Sequence, residues 1–100
     1  MFQQWLHRRR LLKERRAIAA QKLAAGGNVH GTLLDPIEDD PAMLPILREA
    51  EQMAEAELAD RNHGLGFCNL LWRTKQRILA EKFNVVWFSP ADMDPYSIFD

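Results

Sequence analysis

The residues best equipped for chemistry lie together at positions 63–68, HGLGFC, which contain two glycines, a histidine and the only cysteine of the chain. A glycine-rich turn before a helix can bind phosphate, because the first N–H groups of the helix point at the ligand. The dinucleotide fingerprint, however, needs a third glycine and a preceding strand. Asn69 stands at the third position, and a Glu-rich helical pattern precedes the stretch. The spacing therefore favours a helix-breaking joint.

The same stretch suggests a thiol nucleophile. A helix N-terminus and a neighbouring imidazole both lower the pKa of a thiol, so Cys68 and His63 define a thiol-enzyme hypothesis. Cys68, however, shares a helical face with Leu71 and Trp72, and such a cysteine is usually a small buried hydrophobic residue. We therefore predict a protein without catalytic residues, and the thiol enzyme ranks third among the functions considered.

Metal ligands are present but poorly spaced. The candidate soft ligands are His7, His30, His63 and Cys68. No pair of them has the short spacing that anchors a zinc site. An acidic group consists of Asp35, Glu38, Asp39 and Asp40. It lacks the pattern of a calcium-binding loop, so we interpret these acids as solvated charge. The prediction is no metal and no cofactor.

The strongest functional signal is a dense group of cations near the N-terminus. Residues 1–30 carry seven Lys or Arg against Glu14 alone, whereas residues 31–60 carry nine acids against Arg48. Three interpretations remain open. The cations could pair within the chain with acids of the second helix, dock on a protein partner or a second copy, or follow nucleic-acid phosphates with Trp5 stacking on bases. The slightly acidic total charge and the absence of a known nucleic-acid-binding motif make nucleic acid the second choice.

Two sets of candidate binding residues follow. The residues predicted to contact a partner are Trp5, Arg8, Arg9, Leu12, Arg15 and Arg16. Aromatic residues concentrate in the C-terminal third, and Trp72, Trp87 and Phe88 are predicted to belong either to the core or to an interface. Trp is enriched at the energetic centres of interfaces, and it is also a large contributor to cores.

Helices must position these residues. The composition of residues 3–24 predicts a first helix that ends at Gly26-Gly27, with narrow apolar rows between cationic ones. A connector over 28–42, pinned by Leu33, Leu34 and Ile37, leads to a tight turn at 40–44. The second helix is predicted over about 43–61, with regular helix from Pro45. The third helix, 67–83, has the pattern of a core helix and ends at Asn84.

The C-terminal arm is predicted to be extended over residues 85–88. Ser89-Pro90 with Asp92 then has the pattern of a capping box, which predicts a one-turn helix. The tail after Pro95 is apolar enough to dock, with Phe99 buried.

The totals complete the prediction. One hundred residues with 47% hydrophobic and 27% charged side chains indicate one globular domain. No apolar run is long enough to span a membrane, the N-terminus lacks the pattern of a secretory signal, and a single cysteine fits a cytoplasmic protein.

We predict an all-α fold: a small three-helix domain with an extended C-terminal arm that carries a one-turn helix. Residues 1–27 form a basic helix that is free to project, and residues 43–100 form the core helices and the arm. The expected function is a non-enzymatic, cytoplasmic protein-interaction module (an adaptor, inhibitor or subunit) that docks through helix faces.

Overall fold

The computed structural model describes residues 2–25 and 33–94, and every regular element in these ranges is helical. Helix α1 covers Phe2–Ala24, a 3₁₀ turn covers Pro36–Asp39, α2 covers Leu44–Glu57, α3 covers Phe67–Phe83, and α4 is the single turn Pro90–Met93. The predicted all-α class is confirmed. The predicted Gly26-Gly27 stop, His30 and the docked tail with Phe99 lie outside the described residues.

Helix α2 begins close to the predicted position and ends early. A turn over 41–43 precedes it, and Pro45 lies in its first turn, where a missing N–H breaks no helical hydrogen bond. The predicted end at residue 61 is wrong, because Leu58 leaves the helical conformation. The N–H groups of Ala59 and Arg61 instead bond to carbonyls three residues back, and the chain tightens into turns.

Helix α3 has the predicted bounds because both ends use left-handed residues. Gly66 precedes the helix with φ 82° and ψ −1°, a conformation that glycine adopts without a steric penalty. Asn84 follows the helix with φ 54° and ψ 40°, and asparagine is among the few other residues that tolerate this region. The predicted stop at Asn84 is thereby confirmed.

The larger core cluster lies between α2 and α3. Leu47, Ala50 and Ala54 of α2 pack with Ile78 and Leu79 of α3. Two of the α2 residues are alanines, and their small side chains let the helices approach closely. Leu58, which follows the last residue of α2, is also buried.

The predicted core-helix pattern of α3 is confirmed, since its apolar face packs against α2. Two polar residues, Thr74 and Lys75, are buried as well, whereas Leu70 is 37% exposed. The Thr74 hydroxyl donates to the Leu70 carbonyl oxygen over 2.9 Å. The Lys75 ammonium lies 4.4 Å from the ring centroid of Trp87 and 3.8 Å from a Glu51 carboxylate oxygen. These contacts make burial of the two polar side chains tolerable.

A second cluster joins α1 to the C-terminal arm. Ala19 of α1 packs with Phe88 and Met93. The partly buried members of this cluster are Leu11, Leu12, Leu33 and Val86. Helix α1 is therefore anchored through its inner face to the arm and the connector.

The extended segment 85–88 connects the two clusters. Val85 and Trp87 pack against the α2–α3 cluster, while Val86 and Phe88 pack against the α1 cluster. This alternation follows from extended backbone, in which successive side chains point in opposite directions. The predicted extended segment is confirmed, and so is the capping box formed by Ser89 and Asp92.

Candidate interaction surface on the first helix

The Asp35 carboxylate holds the inner face of α1 in place. This side chain is almost fully buried, with the residue 1% exposed. Its Oδ2 accepts hydrogen bonds from Arg15 Nη1 over 2.7 Å and from the Phe88 N–H over 2.8 Å, while Oδ1 accepts from the Ile37 N–H over 3.1 Å. The prediction that this acid is solvated charge is wrong, because Asp35 caps the 3₁₀ turn and binds two other segments.

Two arginines complete the inner attachment. Arg15 also donates to the Val86 carbonyl oxygen over 2.5 Å, and its guanidinium carbon lies 5.3 Å from the Phe88 ring centroid. Arg16 donates to the Asp92 carbonyl oxygen, from Nε over 3.0 Å and also from Nη2. Both residues were predicted as partner contacts. Instead, Arg15 binds the connector and the arm of its own chain, and Arg16 binds the arm.

The acids that pair with α1 come from the connector. Besides the Arg15–Asp35 pair, Lys22 pairs with Asp39. Carboxylates of α2 pair with α3 instead: Glu51 with Lys75, and Glu57 with Arg77. The interpretation that the α1 cations pair with acids of the second helix is therefore wrong for the described ion pairs.

Glu38 lies in the same region. Its carboxylate oxygen accepts a hydrogen bond from Trp87 Nε1 over 3.2 Å. Burial raises the pKa of the Glu38 carboxyl, although the Trp87 hydrogen bond and the charge of Lys75 both act in the opposite direction. The group links the 3₁₀ turn to the α2–α3 cluster.

The N-terminal half of α1 is exposed. Every residue from Gln3 to Arg10 is exposed, including Trp5 at 51% and Leu6 at 39%. The guanidinium carbon of Arg9 lies 4.8 Å from the Trp5 ring centroid, and that of Arg8 lies 4.9 Å from the Phe88 ring centroid. Among the predicted contact residues, Trp5, Arg8 and Arg9 are therefore accessible, whereas Leu12 is half-buried against the second cluster.

One outer row of α1 is exposed along nearly its whole length. We call it the outer seam, and its members are Leu6, Arg10, Lys13, Ala17, Ala20 and Ala24. Their spacing alternates between four and three residues, which places them on one side of a helix. Arg9 borders the seam. A depression of about 430 Å³ extends from the seam toward the inner face and is lined by Leu6, Arg9, Arg10, Leu12, Lys13 and Arg16. Within the described ranges, no carboxylate forms an ion pair with Arg9, Arg10 or Lys13.

The sequence alone does not single out the seam, because the most cationic rows of α1 lie outside it. Two i, i+7 rows carry it: Leu6, Lys13 and Ala20, and Arg10, Ala17 and Ala24. The regular spacing of these rows can be recognised in the sequence. The exposed face of α1 cannot, since it depends on the packing of Ala19 and Arg15.

The remaining candidate residues lie in the core or at the joint between α2 and α3. Trp87 and Phe88 are buried core residues, and Trp72 is half-buried against the α2–α3 cluster. In the joint, the exposed His63 ring stacks on Phe67 with centroids 4.0 Å apart, while Cys68 is half-buried.

Within the described residues, His, Cys, Asp and Glu form no group of three or more suited to a metal ion. None of the described helices combines the length and apolarity needed to cross a membrane.

The geometry thus separates an inner face of α1, occupied by contacts within the chain, from an outer seam that is open to solvent. No protein-family model, curated protein or solved structure matches this chain.

Proposed function

We propose that this chain is a small, non-enzymatic protein-interaction module that docks a protein partner through the outer seam of α1. The main observation behind the proposal is that the two faces of this helix differ in their contacts. Arg15, Arg16 and Ala19 fasten its inner face, while Arg10 and Lys13 on the outer face have no described carboxylate partner.

The exposed residues beside the seam have the composition of an interface. Trp and Arg are the residues most enriched at the energetic centres of protein interfaces. Trp5 and Arg9 are exposed and in contact with each other, and Leu6 adds apolar surface next to them. Because the inner face holds the helix in position, a partner would meet a preorganised surface and lose less ordering entropy on binding. The single cysteine of the chain fits a function in the reducing cytoplasm.

Nucleic acid is the alternative that the cations suggest. Two features favour a protein instead. The Arg9 guanidinium already covers the Trp5 ring in its own chain, where a base would stack. The C-terminal half of the seam consists of Ala17, Ala20 and Ala24, which offer nothing to a phosphate.

Site-specific photo-crosslinking tests the proposal. A photoreactive phenylalanine analogue is placed at Leu6 or Ala17 in the seam, and at Ala56, an exposed residue of α2, as the matched control. In host cells, we expect nuclease-resistant adducts of protein size from the two α1 positions and none from Ala56. The double change Arg10→Glu with Lys13→Glu should remove them. Nuclease-sensitive adducts, or none from α1, would contradict the proposal.

A further inference from the structure

We infer that the partner contributes an amphipathic helix that lies along the outer seam. The carboxylates of this helix would lie over the N-terminal half of the seam, and its large apolar residues over the C-terminal half of the seam. This inference rests on the proposed function and adds the chemistry of the partner. It concerns a helix from a different chain.

The spacing of the seam fits a helix. Positions 6, 10, 13, 17, 20 and 24 repeat at alternating intervals of four and three, the pattern by which one helix packs against another at a small crossing angle. From Leu6 to Ala24 the seam extends about 27 Å at a rise of about 1.5 Å per residue. A partner of five turns would cover it.

The two halves of the seam require different side chains from that partner. Arg10 and Lys13, with Arg9 beside them, present three cations within about one turn of the helix. Carboxylates are their natural counterparts, because hydrogen bonds from Arg or Lys to a carboxylate are among the strongest in proteins. Ala17, Ala20 and Ala24 leave a shallow strip where a neighbouring backbone can approach closely, and large apolar side chains would fill the space between the helices.

Many carboxylates of the described residues already have cationic partners. Five of them are in ion pairs: Asp35, Asp39, Glu51, Glu57 and Glu81. On the outer side of α2, Glu49 and Glu55 are exposed, but the exposed Arg48 lies among them. A second copy that docked through this side of α2 would bring Arg48 close to Arg10 and Lys13, so an acidic helix of another protein fits better.

The inference is tested with a synthetic probe. The probe is a 21-residue amphipathic helix with leucines along one face and glutamates beside them in one half. A second peptide has lysine at every glutamate position, and a single-stranded oligonucleotide is the third ligand. Calorimetric titration of the full chain should show binding of the glutamate peptide alone. Arg10→Glu should weaken it by about tenfold or more, since about 1.4 kcal/mol corresponds to tenfold, and added salt should weaken it as well.

Matched controls separate charge from shape. Arg73→Glu makes the same charge change at an exposed position of α3 and should leave the affinity within about twofold. Ala20→Trp should block the alanine strip, whereas Ala56→Trp on α2 should not affect binding. Circular dichroism confirms that each variant is folded.

Several outcomes would overturn the inference. These are equal binding of the lysine peptide, tighter binding of the oligonucleotide, or a dimer in light scattering that Arg10→Glu abolishes. Failure of the glutamate peptide, while α1 still crosslinks to a protein in cells, would remove the acidic helix and leave the interaction module standing.

Discussion

At the scale of single residues, Asp35 joins three segments that are far apart in the chain. Its two oxygens accept hydrogen bonds from the 3₁₀ turn, from Arg15 of α1 and from the backbone of Phe88. A buried carboxylate is tolerable when its lone pairs are used and an opposite charge lies close by. Removing one member of such a set leaves the others buried without a partner, which is costlier than the net stabilisation that the pair provides.

We therefore expect Asp35→Ala to lower the free energy of unfolding by about 3–5 kcal/mol. The reason is that the Phe88 N–H would lose its acceptor inside the protein, and Arg15 would lose the carboxylate that neutralises its charge. Urea denaturation followed by circular dichroism measures the effect. The control is Asp39→Ala, which breaks the exposed pair with Lys22 and should cost about 1 kcal/mol or less. Equal losses in the two variants would show that Asp35 does not hold α1 in place.

Glu38 is a half-buried carboxyl whose ionisation is disfavoured by burial. Burial raises its pKa above the usual value. A carboxyl whose pKa is raised by folding contributes stability that is complete below its unfolded pKa and is lost as the pH rises through the folded pKa. Relative to low pH, Glu38 therefore lowers the stability of the fold at neutral pH.

Replacing Glu38 by glutamine should raise the urea midpoint at pH 7. Glutamine is neutral and its side-chain oxygen can still accept the hydrogen bond from Trp87 Nε1. The advantage over the wild type should shrink as the pH falls, and disappear below about pH 4, where the carboxyl is also protonated. Parallel urea titrations between pH 4 and pH 7 check this. A constant difference, or a less stable glutamine variant at pH 7, would show that the attraction to Lys75 outweighs the cost of burial.

At the scale of elements, the joint between α2 and α3 depends on one glycine. The Gly64 carbonyl oxygen accepts from the Phe67 N–H over 3.2 Å, and Gly66 has the positive φ that the third position of a type II turn requires. A Cβ at Gly66 would meet no atom within 4 Å. The constraint is therefore on the backbone alone, not on packing.

Gly66→Ala should destabilise the protein by about 1–2 kcal/mol, which is the cost of a left-handed conformation for an ordinary residue. Gly64→Ala is the matched control. Its Cβ would lie 3.5 Å from the Asn62 side-chain oxygen, an ordinary contact, and Gly64 does not have a positive φ. This variant should be neutral or slightly stabilising, because alanine reduces the entropy of the unfolded chain. Thermal denaturation of both variants gives the comparison, and a larger loss at Gly64 would contradict it.

Element bounds were largely predictable because their signals are local. Pro45, Gly66 and Asn84 act through their own backbone conformations, and the Ser89 capping box closes within four residues. The burial of Asp35 and Lys75 was not predictable in this way. It depends on segments more than ten residues away along the chain, and no nearby pattern distinguishes a buried acid from a solvated one. For the same reason, the spacing of the outer seam could be recognised in the sequence, but its exposure could not.

At the scale of the whole molecule, the extended segment 85–88 holds the domain together. This segment lies between helices and supplies side chains to both core clusters. Gln76 of α3 stabilises it by donating to the Trp87 carbonyl oxygen over 3.1 Å and to Asp92 over 2.5 Å. Helix α1 is thus attached to the rest through the arm and the connector, and its outer seam stays exposed as a consequence.

This arrangement predicts that neighbouring substitutions in the arm will loosen different parts of the molecule. Phe88→Leu leaves space beside Ala19 and Met93, whereas Trp87→Leu leaves space beside α2 and α3 and removes the contacts with Lys75 and Glu38. Each should cost about 1–3 kcal/mol. Local opening needs less free energy than global unfolding, so hydrogen exchange reports the weakened region first.

In Phe88→Leu, the amides of residues 11–23, in the C-terminal part of α1, should exchange faster than in the wild type. The exchange rates of residues 74–80 in α3 should change less. Trp87→Leu should give the reverse order. Exchange measured by mass spectrometry at low denaturant distinguishes the two patterns. Identical patterns in both variants would mean that the two clusters open as one unit, and that α1 cannot detach from the arm without unfolding α2 and α3. The expected difference would instead make α1 a separately opening element, whose attachment depends on Phe88 on its inner side.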